Sequence, residues 1–166
     1  LIVMLNFGEY MEIVEAKQTD LESFFDYLKS QLLDNASDDS PLFLPIAKQH
    51  CQVSEQLRAK FQDGFRFEFG QLGWRKLWLA KDINGLICGH IDLRHHNTEY
   101  SCHRVVFGMG VDQKVRKQGL GLKLLEAIIR FCRETNGVDW LDLTVLSNNQ
   151  PAINLYLKCG FQVVGE

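Results

Sequence analysis

The chain has 166 residues, 46% of them hydrophobic, 23% charged and 11% aromatic, which is the size and composition of one globular domain rather than a disordered or fibrous chain. Eighteen Lys and Arg against 21 Asp and Glu leave a net charge of −3, without the basic excess that a nucleic-acid partner calls for. No apolar run approaches the roughly 18 residues that a bilayer span requires, so neither nucleic acid nor membrane is an expected partner.

The chain opens on Leu1-Ile2-Val3-Met4-Leu5 rather than Met, too short an apolar run for a signal segment. Residues 1–10 read as an extension outside the fold. Met11 to Ala16 then reads as a short strand. Thr19-Asp20-Leu21-Glu22 has the pattern of a capping box, and Leu21, Phe24, Phe25, Leu28 and Leu32 follow at helical spacing. That helix should stop in the polar stretch from Asp34 to Pro41. Val53, Leu57 and Phe61 predict a second short helix; Phe65, Phe67 and Phe69 alternate as in a strand, with flanking glycines that also suit an irregular loop.

The middle is β-rich. Leu77 to Lys81 and Leu86 to Leu93 are joined by Asp82-Ile83-Asn84-Gly85, whose Asn-Gly pair signals a hairpin. A third strand is expected from about Cys102 to Val111. From Gly119 the period becomes helical, through Leu124, Leu125, Ile128, Phe131 and Cys132, and the helix ends at Asn136-Gly137. Leu141, Leu143 and Val145 alternate as a strand, Pro151 opens another helix that stops at Gly160, and Phe161 to Val164 begins a last strand. The order β, α, α, three meandering strands, α, β, α, β predicts a mixed α/β fold: one open, largely antiparallel sheet with helices on both faces.

The stretch Val111 to Gly121 carries the chemistry. A strand ends, a polar turn follows, and Gly119 and Gly121 open a helix. The first N–H groups of a helix lack internal partners and carry the positive end of its dipole. Glycines there would let a pyrophosphate come close, with Arg116 and Lys117 adding charge. A solvated basic turn is the plainer alternative. Neither G-x-x-x-x-G-K-[ST] nor a dinucleotide G-x-G-x-x-G is present, which disfavours an NTPase or a Rossmann dehydrogenase. Further on, Asn149 precedes a helix carrying Ala152 and Tyr156, and Gly160-Phe161 ends it.

Together these segments resemble the GNAT superfamily of acetyl-CoA-dependent N-acetyltransferases. Arg116, Gly119 and Gly121 match the family's [RQ]-x-x-G-x-[GA] loop. Asn149, Ala152, Tyr156, Gly160 and Phe161 match its later N-x-x-A-x-x-x-Y-x-x-x-G-F segment. The likeness is strong from about Cys102 to Glu166 and only topological from Met11 to Leu93. It implies a single domain over 11–166 that transfers an acetyl group from acetyl-CoA directly to a primary amine of a small molecule or peptide. It further implies that Arg116, Lys117, Gln118, Gly119, Leu120, Gly121 and Leu122 hold the diphosphate. Met109, Gly110 and Val111 would align the pantetheine arm and polarise the thioester carbonyl, Asn149 would touch the arm or simply cap its helix, and Tyr156 would protonate the departing thiolate. Tyr156 also reads as a core aromatic, and Gly108 and Gly110 fit either a splayed strand end or a tight packing contact.

Two departures from the family pattern stand out. Many members carry a glutamate on the strand before the loop, yet Val105-Val106-Phe107-Gly108-Met109 holds no acid. Asp92, His95, His96, Glu99 and His103 lie nearby in sequence, with His103 the first candidate for the base and solvent the alternative. Members also continue past the strand at Phe161, so the domain is expected to lack its last strand. Cys88, His90, His95, His96, Cys102 and His103 match no zinc spacing, and no metal is expected. Five cysteines, Cys51 among them, form no C-x-x-C pair, which fits reduced thiols and a cytoplasmic location. A homodimer is compatible with this reading. An acyl-CoA sensor without catalysis and a nucleotide-binding module are the rival readings, the latter lacking any Mg²⁺ motif.

Overall fold

A computed structural model describes residues 10–36 and 52–165. Most of the extension at 1–10, most of the polar stretch after Asp34, and Cys51 lie outside the described residues. The elements run β1 (Glu12–Glu15), α1 (Leu21–Ala36), α2 (Glu55–Gly64), β2 (Arg75–Lys81), β3 (Ile87–His95), β4 (Arg104–Val111), α3 (Leu120–Glu134), β5 (Trp140–Asp142) and α4 (Gln150–Lys158). They build one five-stranded sheet in the order β1-β2-β3-β4-β5. The first four strands pair antiparallel and β5 joins β4 in parallel, which is the mixed open sheet expected.

Alternation along the strands divides the core in two. Trp78, Ala80, Ile91, Leu93, Val105 and Phe107 pack on one face against Leu120, Leu124, Leu125 and Ile128 of α3. Leu77 and Leu79 point the other way, against Phe24, Phe25, Leu28 and Leu32 of α1 and Phe61 of α2. A pleated strand sends neighbours to opposite faces, so the sheet has helices on both sides. The apolar stripe of α3 is buried entirely, each such side chain contributing about 1.5–3 kcal/mol of burial.

Two local expectations need correction, and at Phe65 to Phe69 the loop alternative holds. The capping box lies earlier than Thr19. The Asp20 carboxylate accepts the Lys17 N–H at 2.8 Å, closing a 3-10 turn over Gln18–Asp20 before α1 begins. Phe65 to Phe69 forms turns rather than a strand. Its rings scatter, Phe65 toward the α1 core and Phe69 onto Trp74 with centroids 5.1 Å apart. Among the described residues Phe161 to Val164 pairs with no strand of the sheet, and Val163 and Val164 are exposed. The hairpin between β2 and β3 closes as expected: Asp82 Oδ1 accepts from Asn84 and Leu86 N–H at 2.8 and 2.9 Å, and Gly85 takes a left-handed φ of 80°.

On the α1 face His90 is sealed beneath Phe24 and Tyr27, with its Nδ1 3.4 Å from the Tyr27 hydroxyl. Burial pushes its pKa down from 6.5 to about 4, with Asp92 opposing the fall only in part. The unfolded chain therefore takes up a proton below pH 6.5 that the folded chain refuses until about pH 4, so stability falls as pH drops through that window. Between pH 7 and 5 the expected loss is about 2 kcal/mol. Denaturant unfolding of the parent and of His90→Gln at both values checks it. The variant should show a shallower slope, retaining only what His95, also pushed down by burial, adds in the same sense.

Candidate active site

β5 stays beside β4 only briefly. Its pairing covers Arg104 to Val106 against Trp140 to Asp142, and residues 143–146 are in neither strand nor helix. Among the described residues nothing pairs with the far edge of β4 beyond Val106. Asp112 N–H donates to Cys88 O at 2.8 Å on the β3 side. By antiparallel alternation the peptide groups of Gly108 and Gly110 then face β3, while those of Met109 and Val111 face the uncovered edge. Val111 O confirms the direction by accepting Arg116 Nε at 3.1 Å. Met109 and Val111 thus offer N–H and C=O groups that no strand occupies, next to where α3 begins.

Gly119 caps α3 in the left-handed region, φ 79°, and supplies no side-chain cap. A Cβ there would meet nothing within 4 Å, so the space in front of the helix is open. The internal ladder starts with Lys123 N–H on Gly119 O at 3.2 Å, which leaves the N–H groups of Leu120, Gly121 and Leu122 to a ligand or water. Lys117, itself at φ 63°, and Arg116 are exposed on the approach, as is Gln118. This is an anion cradle, and its donors and charges suit a diphosphate. Gly121 serves it differently from expectation. A Cβ there would press on Leu155 Cδ2 at 3.1 Å and stand 3.7 Å from Met109 Cε, so Gly121 is what lets α4 close onto α3 rather than an opening for the ligand.

Next to Leu155 on α4 stands Tyr156. Its ring lies edge-on to Phe107 at 5.7 Å and to Phe161 at 5.9 Å. Phe107 and Met109 are same-face neighbours on β4, so the ring packs one side chain along the strand from Met109. Burial pushes its pKa up, which keeps it protonated at neutral pH. Among the described residues nothing hydrogen-bonds to its hydroxyl. Asn149 caps α4, its Oδ1 accepting from Ala152 N–H at 3.4 Å.

The candidate bases are not gathered here. His103 is exposed in the turn before β4, its carbonyl accepting from Asp139 and Trp140 N–H. Six residues of strand, about 20 Å, separate it from Met109. His96 Nε2 is bound to Asp142 Oδ2 at 3.0 Å, where Arg104 also bonds. His95 Nε2 accepts Gly70 N–H at 2.9 Å, and Glu99 is exposed on a distant turn. Asp92 reaches the middle of β4: a Cβ on Gly108 would stand 3.0 Å from its Oδ1. Its Oδ2 is held by Arg75 at 3.3 Å and Arg94 at 3.0 Å. Among the described residues no three metal-ligating side chains converge, and no helix is long and apolar enough to cross a membrane.

Sequence reasoning did not anticipate the support behind Gly110. Tyr27 reaches from α1 to donate its hydroxyl to Gly110 O at 3.3 Å, and a Cβ on Gly110 would stand 2.7 Å from His90 Cε1. Gly110 is bare because His90 packs there, and Gly108 because Asp92 does, which selects the packing alternative over a splayed end for both.

Residues 47–161 match the model of the Acetyltransferase (GNAT) family, and the chain belongs to that family. It is 32% identical over 87 residues to the L-amino acid N-acetyltransferase AaaT of Escherichia coli strain K12, covering 52% of this chain and 54% of that protein. The chain thus matches about half the length of such curated relatives. Among solved structures it superposes on a GNAT-family acetyltransferase from Streptococcus pneumoniae with a TM-score of 0.77 at 23% identity, covering 94% of this chain and 86% of that one. A Clostridium acetobutylicum acetyltransferase solved with acetyl-CoA gives a TM-score of 0.68 at 17% identity, over 95% and 93% of the two chains.

Proposed function

We propose that this protein is an acetyl-CoA-dependent N-acetyltransferase that acts on a primary amine held with the coenzyme in one complex. The observation that carries it is the coincidence of three features at one end of the sheet: the uncovered peptides of Met109 and Val111, the uncapped start of α3, and the phenol of Tyr156. Acetyl-CoA, when bound, supplies a thioester whose acetyl group passes to the amine as a C–N bond forms and the C–S bond breaks. Leu120, Gly121 and Leu122 N–H groups, with Lys117 and Arg116 alongside, bind the diphosphate. Met109 and Val111 orient the arm along the strand edge, with a backbone N–H at that edge directed to the carbonyl oxygen. Tyr156 shares its hydroxyl proton with the departing sulfur as charge grows there, and the proton lost by the amine reaches the thiolate through solvent. No carboxylate or imidazole of the described residues stands free beside Met109, so water takes the base role and Asn149 remains chiefly a helix cap. The N-acetyltransferase relative supports an amine acceptor; the reading takes no more from its name than that.

A ligand of the folded state alone raises the melting temperature. Acetyl-CoA is expected to do so while ATP and NAD do not, and thiol release should follow on adding an amine panel. Gly119→Asp places a carboxylate at the cradle in a residue type that tolerates the left-handed region. It should weaken acetyl-CoA about tenfold by titration calorimetry, in keeping with the 1–2 kcal/mol of a charge at a helix end. Equal stabilisation by ATP would favour a nucleotide module, and acetyl-CoA binding without thiol release a sensor.

A further inference from the structure

The α1/α2 face of the sheet carries a groove of about 520 Å³ at the opposite end of β4 from the α3 cradle. Lys60 and Asp63 of α2, Arg75 of β2, Arg94 of β3 and Val106 of β4 are among its lining. Its charge is not balanced. Arg75 and Arg94 share a single oxygen of Asp92, at 3.3 and 3.0 Å. Asp92 and Arg75 are nearly sealed, with side chains 7% and 12% exposed, and Arg75 is stacked 4.3 Å over the Phe61 ring. Arg94 is the open member, 35% exposed. One carboxylate thus answers two guanidinium groups, and the surplus positive charge faces the groove in a partly desolvated place where an unmatched charge is costly.

Position ties this charge to the transfer chemistry. Arg94, Asp92 and His90 stand on β3 opposite Val106, Gly108 and Gly110 of β4. Because Gly108 has no side chain, Arg94 Nη1 comes within 3.4 Å of where its Cβ would be. Met109, whose peptide lines the uncovered edge, is the next residue. An ionic contact of about 2.8 Å at Arg94 and a near-attack approach of about 3–3.5 Å at a thioester on the neighbouring strand edge would suit a short acceptor whose anion and amine are close together.

On the acetyltransferase reading above, we propose that the groove selects an acceptor bearing a carboxylate on the carbon that carries its amine, a free α-amino acid, and that Arg94 receives that carboxylate. Arg94 presents a planar fork suited to two parallel bonds with carboxylate oxygens. The half-exposed Phe67 and Leu72 on the same groove provide an apolar wall for the rest of the acceptor. An internal residue of a peptide offers no free carboxylate at that distance, and a simple alkylamine leaves the guanidinium unanswered.

The test compares the twenty amino acids with their amides, and with phosphoethanolamine as a non-carboxylate anion, by thiol release with acetyl-CoA. Titration of the best pair into protein saturated with free CoA supplies a readout apart from turnover. The wild-type protein should favour an acid over its amide at least tenfold in kcat/KM, mostly through KM, and bind the acid more tightly by a similar factor. Arg94→Gln should collapse both ratios toward one while acetyl-CoA affinity stays unchanged, and Arg94→Lys should recover part of the preference. Acids and amides used equally by the wild type, a ratio that survives in Arg94→Gln, or phosphoethanolamine outcompeting every amino acid would each overturn the proposal with the acetyltransferase reading intact. Silence of the whole panel would overturn the proposal, and silence of the broader amine panel as well would overturn the acetyltransferase reading.

Discussion

Asp92→Asn should lower the unfolding free energy by about 3–5 kcal/mol, the usual cost of removing one partner from a buried ion pair. The carboxylate is 7% exposed and answers Arg75, itself 12% exposed, and Arg94 at the groove. An amide of the same shape keeps the packing against Gly108 but leaves Arg75 with no counter-charge, pinned over Phe61 by a contact too weak to compensate. Burial already holds the Arg75 guanidinium pKa below its ordinary value, with the Asp92 charge opposing that fall. For a chain of this size the loss corresponds to a melting temperature lower by about 10 °C, measurable by calorimetry or denaturant titration. Pairing Asp92→Leu with Arg75→Met should return most of the stability, because a packed apolar pair often matches a buried ionic one. A loss below about 1 kcal/mol in Asp92→Asn would mean that water reaches the cluster freely.

The parts of this fold legible beforehand are those written in local chemistry. The Asn84-Gly85 turn, the stripe of Leu124, Leu125 and Ile128, and the cap at Asn149 each follow from a few adjacent residues, and the structure places them where their patterns fall. Elements settled by distant partners were less legible. Phe65, Phe67 and Phe69 alternate like a strand but have no neighbouring edge to pair with, so each ring goes to a different site. Thr19 lost the capping role to Asp20 because a 3-10 turn preceding α1 brought that carboxylate onto Lys17. His103 lies near the phosphate loop in sequence, yet extended chain carries it to the far end of β4. The Arg75, Asp92 and Arg94 cluster depends on the β2–β3 register, which composition does not reveal. Its one signal was the i, i+2 spacing of Asp92 and Arg94 on a strand, which puts both on the same face. Tyr27 and His90 behind Gly110 left no local signal at all, since α1 and β4 meet only in three dimensions.

Tyr156→Phe should reduce kcat about a hundredfold while leaving acetyl-CoA affinity within a factor of two. General acids contribute 10²–10⁴, and the environment of this one argues for the lower end. Packing against Phe107 and Phe161 raises its pKa above the ordinary tyrosine value near 10, whereas a free thiol sits near 8.5, so complete transfer to sulfur runs uphill by more than about 2 kcal/mol. The phenol therefore acts by sharing its proton as negative charge grows on sulfur and by supplying a bond that water in that apolar corner cannot replace. Removing only the hydroxyl leaves the ring edge-on against its two neighbours, so folding and the closure of α4 through Gly121 and Leu155 should persist. The effect should appear in kcat rather than KM, because the bond strengthens only as the thiolate departs. Substrates with a better thiol leaving group should lose less, since a less basic sulfur needs the proton less. A variant with unchanged kcat, or one equally impaired with every leaving group, would show Tyr156 to be a wall of the site rather than its acid.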